Sequence, residues 1–290
     1  MDEILSLSAF HESLTGFLMT LTLCSLRTFV AFIVIPATSQ GSLQGISRQG
    51  ITLLFGIFVA FGQPIQAQAI PALMLFMIVA KEAVLGLVLG FAAATVFWVA
   101  ESVGVFIDDL AGFNNVQVSN PMRNDTSTPV STLLSQLSIT AFWALGGMMF
   151  LLGAIYQSFQ WWPILQFDPV PRQIFESFAL NQADTLMQMT AKIAMPMLLI
   201  LLLVDFAFGF LSKGADQLDT FSLSMPVKGV LTLLLVAVFT GIFVEQIKGE
   251  IALENIGAQF HAVRKQGGLQ KTRNGQAKGP GFSGYQDDRR

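Results

Sequence analysis

Charged residues are scarce in this chain. Asp, Glu, Lys and Arg make up 12% of its 290 residues, where a soluble domain carries about 25%. With 53% apolar residues and a mean hydropathy of +0.61, this shortage excludes an ordinary soluble domain and sets a membrane class. Cysteine occurs once, as Cys24 inside an apolar run. No internal disulfide can form, and the residue reads as a small core filler. Histidine occurs only at positions 11 and 261, so no His/Cys cluster offers a metal site. There are 2 Tyr against 26 Phe, which assigns the aromatics to apolar packing more than to polar interfaces. The start Met1-Asp2-Glu3 lacks the cationic segment of a signal peptide, and no cleaved leader is expected.

Catalytic patterns are missing too. The chain has no nucleotide-binding loop, Gly-x-Ser-x-Gly elbow or His-Glu-x-x-His. An intramembrane protease needs paired Asp residues or a Ser/His couple, and Asp205 has no companion in a matching helix. The residues therefore point to no enzyme, no cofactor and no metal.

What the chain does have is a set of long apolar stretches. Residues 14–35 can cross a bilayer, since about 20 residues suffice, although Arg27 in the middle is expensive in lipid. Arg27 is expected to face a protein interior and pair with a carboxylate. After a polar loop at 37–50 comes a short run, 51–61, of about 17 Å, which suits half of a helical hairpin. Residues 70–100 are apolar around Lys81 and Glu82. As one helix they would reach roughly 46 Å, so this helix breaks near the charges or leaves the membrane. Adjacent Lys81 and Glu82 diverge by about 100° on a helix, so each is expected to have its own partner. Gly86, Gly90 and Ala94 lie four apart on one face, where small residues let a second backbone approach closely.

From 101 to 132 the chain reads as a long polar connection. Asp108-Asp109 lacks the further oxygen ligands of a calcium loop, and reads as solvated or ion-paired. Residues 133–159 form the next apolar segment, with Gly146-Gly147 in the middle. It ends in Trp161-Trp162-Pro163, the paired Trp reading as an interface anchor. A loop is expected over 164–188, then a helix over 189–211 kinked at Pro196. There Asp205, Gly209 and Lys213 share one ridge, and a neighbouring helix at Gly209 could serve both charges. Pro226 and Lys228 open a last helix over about 227–247. No strand pattern is visible.

The fold class is all-α: about six apolar segments arranged as membrane-associated helical hairpins. Residues 1–255 form one helical domain. Residues 256–290 read as a disordered, Gly-rich tail. The last thirty residues carry seven Lys or Arg against two Asp, which places the tail in the cytoplasm. No aromatic interleaving supports nucleic-acid binding. On the residues alone, the buried charges suggest either a transport pathway or an assembly interface.

Four stretches together resemble one family. They are Lys81-Glu82-x3-Gly86-x3-Gly90-Phe91, and Gly104-x3-Asp108 with Gly112 and Asn120-Pro121. The third runs from Pro129 through Leu133-Leu134-x-Gln136-Leu137 and Gly146-Gly147 to Ser158-Phe159-x2-Trp162-Pro163. The fourth joins Pro196, Asp205-x3-Gly209 and Asp216-Gln217-Leu218-Asp219-x-Phe221-x-Leu223-Ser224-Met225-Pro226-Val227-Lys228. The set, over roughly 14–250, resembles the export apparatus proteins of type III secretion systems, the SctT (HrcT, YscT) group, relatives of flagellar FliR. Met148 after the paired Gly, where flagellar relatives commonly have His, favours the secretion branch. The resemblance implies a non-enzymatic gate subunit in the bacterial inner membrane. It implies partners of the SctR and SctS groups, with SctU- and SctV-type proteins around them, and passage of unfolded effector and needle proteins. Arg27, Lys81, Glu82, Gly86, Gly90, Asp108, Asp205, Gly209, Lys213 and Lys228 are the packing and interface candidates. The alternatives are a flagellar export subunit, or a small-solute or ion transporter using Glu82 and Asp205.

Overall fold

The computed structural model describes residues 2–38, 45–62, 71–113, 118–120, 125–165, 172–214 and 220–251. The tail expected over 256–290 lies outside them. Among these described residues seven α-helices follow in order: α1 Asp2–Val34, α2 Gly45–Gly62, α3 Ala72–Ala111, α4 Pro129–Ala144, α5 Gly147–Trp161, α6 Arg172–Gly214 and α7 Thr220–Ile251. Two short strands, β1 Val118–Asn120 and β2 Asp125–Ser127, pair antiparallel between α3 and α4.

The axis is α3. Its 40 residues extend about 60 Å at 1.5 Å per residue, without a break at Lys81-Glu82. The helix therefore outruns the roughly 30 Å hydrocarbon core, and α1, α4, α6 and α7 all pack against it. Small residues make this possible. A Cβ at Gly86 would overlap the Arg27 carbonyl, one at Gly90 would meet the Ala31 backbone, and one at Gly104 would run into Ser131. Ala94, next in the same row, is wholly buried. The first two contacts set α1 against α3, and the third sets α4.

The segment read as one apolar helix over 133–159 is two, α4 and α5, bent by 71°. Gly146 has φ 76, a left-handed conformation that glycine adopts without the Cβ clash other residues meet. The Gly147 position is filled by the Phe142 ring. At the other end Pro129 occupies the first turn of α4, where its missing N–H costs nothing.

Several sequence expectations are corrected. The polar stretch 101–132 is no open connection: α3 runs to Ala111, and α4 starts at Pro129. Polar residues on a helix that leaves the membrane need not end it. The strand pair there was invisible because each strand has only three residues. The loop over 164–188 shrinks, because α6 begins at Arg172; past Pro171 no residue breaks a helix. Pro196 lies within that helix, as expected. Gly45–Gly50 joins the short run to make the 18-residue α2. The last helix starts at Thr220, so Pro226 lies inside it.

Among the described residues five helices are long and apolar enough to cross a membrane, or six if the bent pair counts as one span.

Candidate functional site

The first polar cluster is sealed between α1, α3 and the end of α5. Arg27 on α1 and Glu82 on α3 are both fully buried. Arg27 donates from Nε to Glu82 Oε2 at 2.8 Å and from Nη2 to Oε1 at 3.0 Å. This two-point geometry is the strongest form of a cation–carboxylate pair. Arg27 Nη1 donates to Ser158 Oγ at 2.7 Å, and Nη2 donates to the Trp162 carbonyl at 3.0 Å. The guanidinium also lies 3.9 Å from the centre of the Phe159 ring, a favourable cation–π distance.

Lys81 brings a second cation. Its Nζ donates to the carbonyls of Pro163 and Ile164, each at 2.8 Å. It also stands 3.1 Å from Glu82 Oε1. Adjacent Lys81 and Glu82 therefore do share a contact, contrary to the angular argument. The flexible four-carbon stem of lysine covers the 100° that separates the two Cβ directions. Among the described residues the cluster holds two cations and one carboxylate. The carbonyls of Trp162, Pro163 and Ile164 face the cations, just past the C-terminus of α5, where a helix carries partial negative charge and unused acceptors. Pro163 cannot continue the helix, and this frees the carbonyls for the cations.

The second polar site is the start of α4. Asp108 is fully buried. Its carboxylate accepts from the backbone N–H of Val130 at 3.0 Å and of Ser131 at 3.0 Å. It is thus not solvated, and among the described residues no cation pairs with it. It caps a neighbouring helix, taking two of the N–H groups that a helix start leaves without partners. Gly104, one turn earlier on α3, admits the same Ser131 backbone. Asp108→Ala is expected to orphan both N–H groups and lower stability by about 1–3 kcal/mol. Thermal unfolding in detergent measures this, with Asp108→Asn, which keeps one acceptor, falling between.

The third site joins α6 to α7. Asp205 forms an ion pair with Lys228, and Lys228 Nζ also donates to the Leu110 carbonyl at 3.0 Å. Among the described residues no helix sits at Gly209: a Cβ there would have nothing within 4 Å. Lys213 is exposed in the last turn of α6. The shared neighbour expected for Asp205 and Lys213 is therefore not supplied by the described residues, among which α7 serves Asp205.

Glu82 and Asp205 do not form one relay. Leu110, which Lys228 reaches, lies 28 residues beyond Glu82 on α3, about 42 Å along the helix. Among the described residues no group of three or more His, Cys, Asp or Glu could hold a metal.

Some contributors were missed by residue reasoning. Ser158 and the Trp162–Ile164 carbonyls complete the ion cluster. Gln182 on α6 donates to Thr95 Oγ1 on α3 at 2.6 Å in a buried position. The usable signal for the first was a serine one turn before a helix-ending proline in an apolar run. Backbone acceptors leave no signal in side-chain patterns. The paired Trp161 and Trp162, read as membrane anchors, are half-buried and pack edge to face, their centres 6.3 Å apart.

These sites define a helical membrane protein whose charged side chains tie helices together at three levels along one long central helix. The family described as "Bacterial export proteins, family 1" matches residues 18–253. The chain is 31% identical to Yop proteins translocation protein T of Yersinia pestis over 226 residues, 77% of this chain and 86% of that protein. It is 29% identical to the secretion system apparatus protein SsaT of Salmonella typhimurium over 230 residues, 77% and 87% of the two chains. It is 25% identical to the flagellar biosynthetic protein FliR of Bacillus subtilis over 223 residues, 76% and 85%. The chain belongs to family 1 of the bacterial export proteins.

Proposed function

We propose that this chain is a structural subunit of the inner-membrane export gate of a type III secretion system, through which unfolded effector and needle proteins pass. Membership of the export family and the likeness to a Yop translocation protein and a secretion apparatus protein support this reading. The lower identity to a flagellar protein favours the secretion branch over the flagellar one.

One structural observation carries the assembly part. The α6 helix is nearly bare: only 17% of its most apolar window is buried, against 72% for α3. Leu180, Met187, Met195, Leu199, Leu203, Phe206, Phe210 and Leu211 are all exposed. From the first to the last this is about 46 Å of apolar surface, longer than the roughly 30 Å that hydrocarbon can cover. Lys192 is also exposed, on the face that carries Met195, Leu199, Leu203, Phe206 and Phe210 by helical spacing. Lipid alone suits neither the length nor the charge. Helical partners do, and SctR- and SctS-type subunits are assigned to this face, with SctU- and SctV-type proteins further out. The basic tail faces the cytoplasm.

Co-expression with the neighbouring secretion genes tests the reading. A stable complex with small helical membrane proteins is the expected result, and failure to associate overturns it. Leu203→Asp should leave the isolated chain folded in detergent, since that position is exposed. In the complex it buries a carboxylate without a partner, and recovery should fall by about tenfold or more. A transporter would instead show solute flux from the purified chain alone in liposomes.

A further inference from the structure

The three polar sites differ in how firmly they are closed. The Arg27–Glu82 pair has both side chains fully buried, and Asp108 is wholly enclosed. The Asp205–Lys228 pair is half open: the Lys228 side chain is 12% exposed and that of Asp205 is 37% exposed. Its cation holds two things at once, the carboxylate on α6 and the Leu110 carbonyl in the last turn of α3. That turn ends at Gly112, whose N–H donates to the Asp108 carbonyl and whose φ of 83 turns the chain out of the helix.

Two more residues of α7 sit on the same spot. Met225 covers the Cα of Gly112, and Gly229 leaves room for the Phe113 ring. Met225, Lys228 and Gly229 are spaced three and four apart, so they share one face of α7. This face covers the C-terminal end of α3. The other side of that end is held by Asp108 and α4, in a contact with no open edge.

We propose that Lys228 is a releasable fastener, through which the position of α6 controls how tightly α7 clamps the C-terminal end of α3. With Asp205 in place, the cation is held over Leu110, and Met225 and Gly229 stay seated on Gly112 and Phe113. When the open side of Asp205 takes another cation, such as one on a neighbouring protein helix, Lys228 keeps only one neutral acceptor and the clamp loosens. The buried cluster at Arg27 stays closed throughout. The fold thus contains one fixed and one switchable electrostatic contact on the same helix. This is a property of the chain itself and stands apart from the export reading.

Hydrogen exchange on the full-length protein in detergent tests it. Asp205→Asn and Lys228→Met should each speed exchange about tenfold in the last turn of α3, residues 107–112, and in residues 224–232 of α7. Exchange around Arg27 and Glu82 should not change. Asp205→Glu and Lys228→Arg, which keep the charges, should stay near wild type. The double variant Asp205→Asn/Lys228→Met should be no faster than Lys228→Met alone, as members of one contact are non-additive. Unchanged exchange at the end of α3 overturns the proposal. So does an equal rise along the whole of α3, which reports general loosening, and so does fully additive behaviour in the double variant.

Discussion

Glu82→Ala is expected to be the most damaging single charge substitution in this chain. It removes the buried carboxylate that both Arg27 and Lys81 contact. Both bind Glu82, at 2.8 Å and 3.1 Å respectively. Removing one partner of a buried pair costs about 3–5 kcal/mol, mostly from the charge left behind. Here two cations lose the same carboxylate, so the upper part of that range applies. The Trp162, Pro163 and Ile164 carbonyls are neutral acceptors and do not replace it. The loss is read as a lower unfolding midpoint in detergent and as loss of assembly with partner subunits. Glu82→Gln fills the same space without charge and should be nearly as harmful, which separates the electrostatic cause from a cavity. The double variant Arg27→Met/Glu82→Leu should be milder than Glu82→Ala, since apolar replacement of a buried pair is often neutral. If Glu82→Ala assembles and unfolds like wild type, the cluster is not what joins α1 to α3.

The second large effect is steric. Gly86→Leu should force α1 away from α3, because even a Cβ at Gly86 would overlap the Arg27 carbonyl and crowd Val30. Over-packing of this kind costs about 1–3 kcal/mol or more. The backbone in the way belongs to Arg27 itself, and Gly86 lies one turn after Glu82. Separation of the helices therefore also stretches the Arg27–Glu82 pair, and the two losses are coupled. Gly209→Leu is the control. It has open space in this chain, so in the isolated protein its effect should stay within about 0.5 kcal/mol. Its effect should appear only when partner helices are bound. Comparing the two variants, alone and in complex, distinguishes glycines that seat helices of this chain from those left for a neighbour. Equal damage from both in the isolated chain would refute the distinction.

The charges of this site were legible in the sequence as residues needing partners, but most of the partners were not. Arg27 and Glu82 stood out because each interrupts an apolar run. The row Gly86, Gly90, Ala94 marked a face made for close approach. Nothing in either segment named the other as its counterpart, which lies 55 positions away. Asp108 read as loop chemistry because its neighbours are polar. It proved to be a cap only once α4 started beside it. The helical start of α6 at Arg172 was missed because hydropathy was taken for helicity, although a helix outside the membrane needs no apolar run.

The sequence by itself determined the membrane class, the helical architecture and the export family. Each depends on composition, or on the order of motifs along the chain, which folding does not alter. It also determined which positions were too small or too charged for lipid. Only the tertiary structure decided how those positions were used. It showed that Lys81 and Glu82 share one cluster, that backbone carbonyls beyond α5 accept from both cations, and that Lys228 links α6 to the end of α3. The physical reason is the same in each case. A periodic pattern defines a helix face, but a contact depends on where two faces cross, and that is set by close packing over the whole molecule.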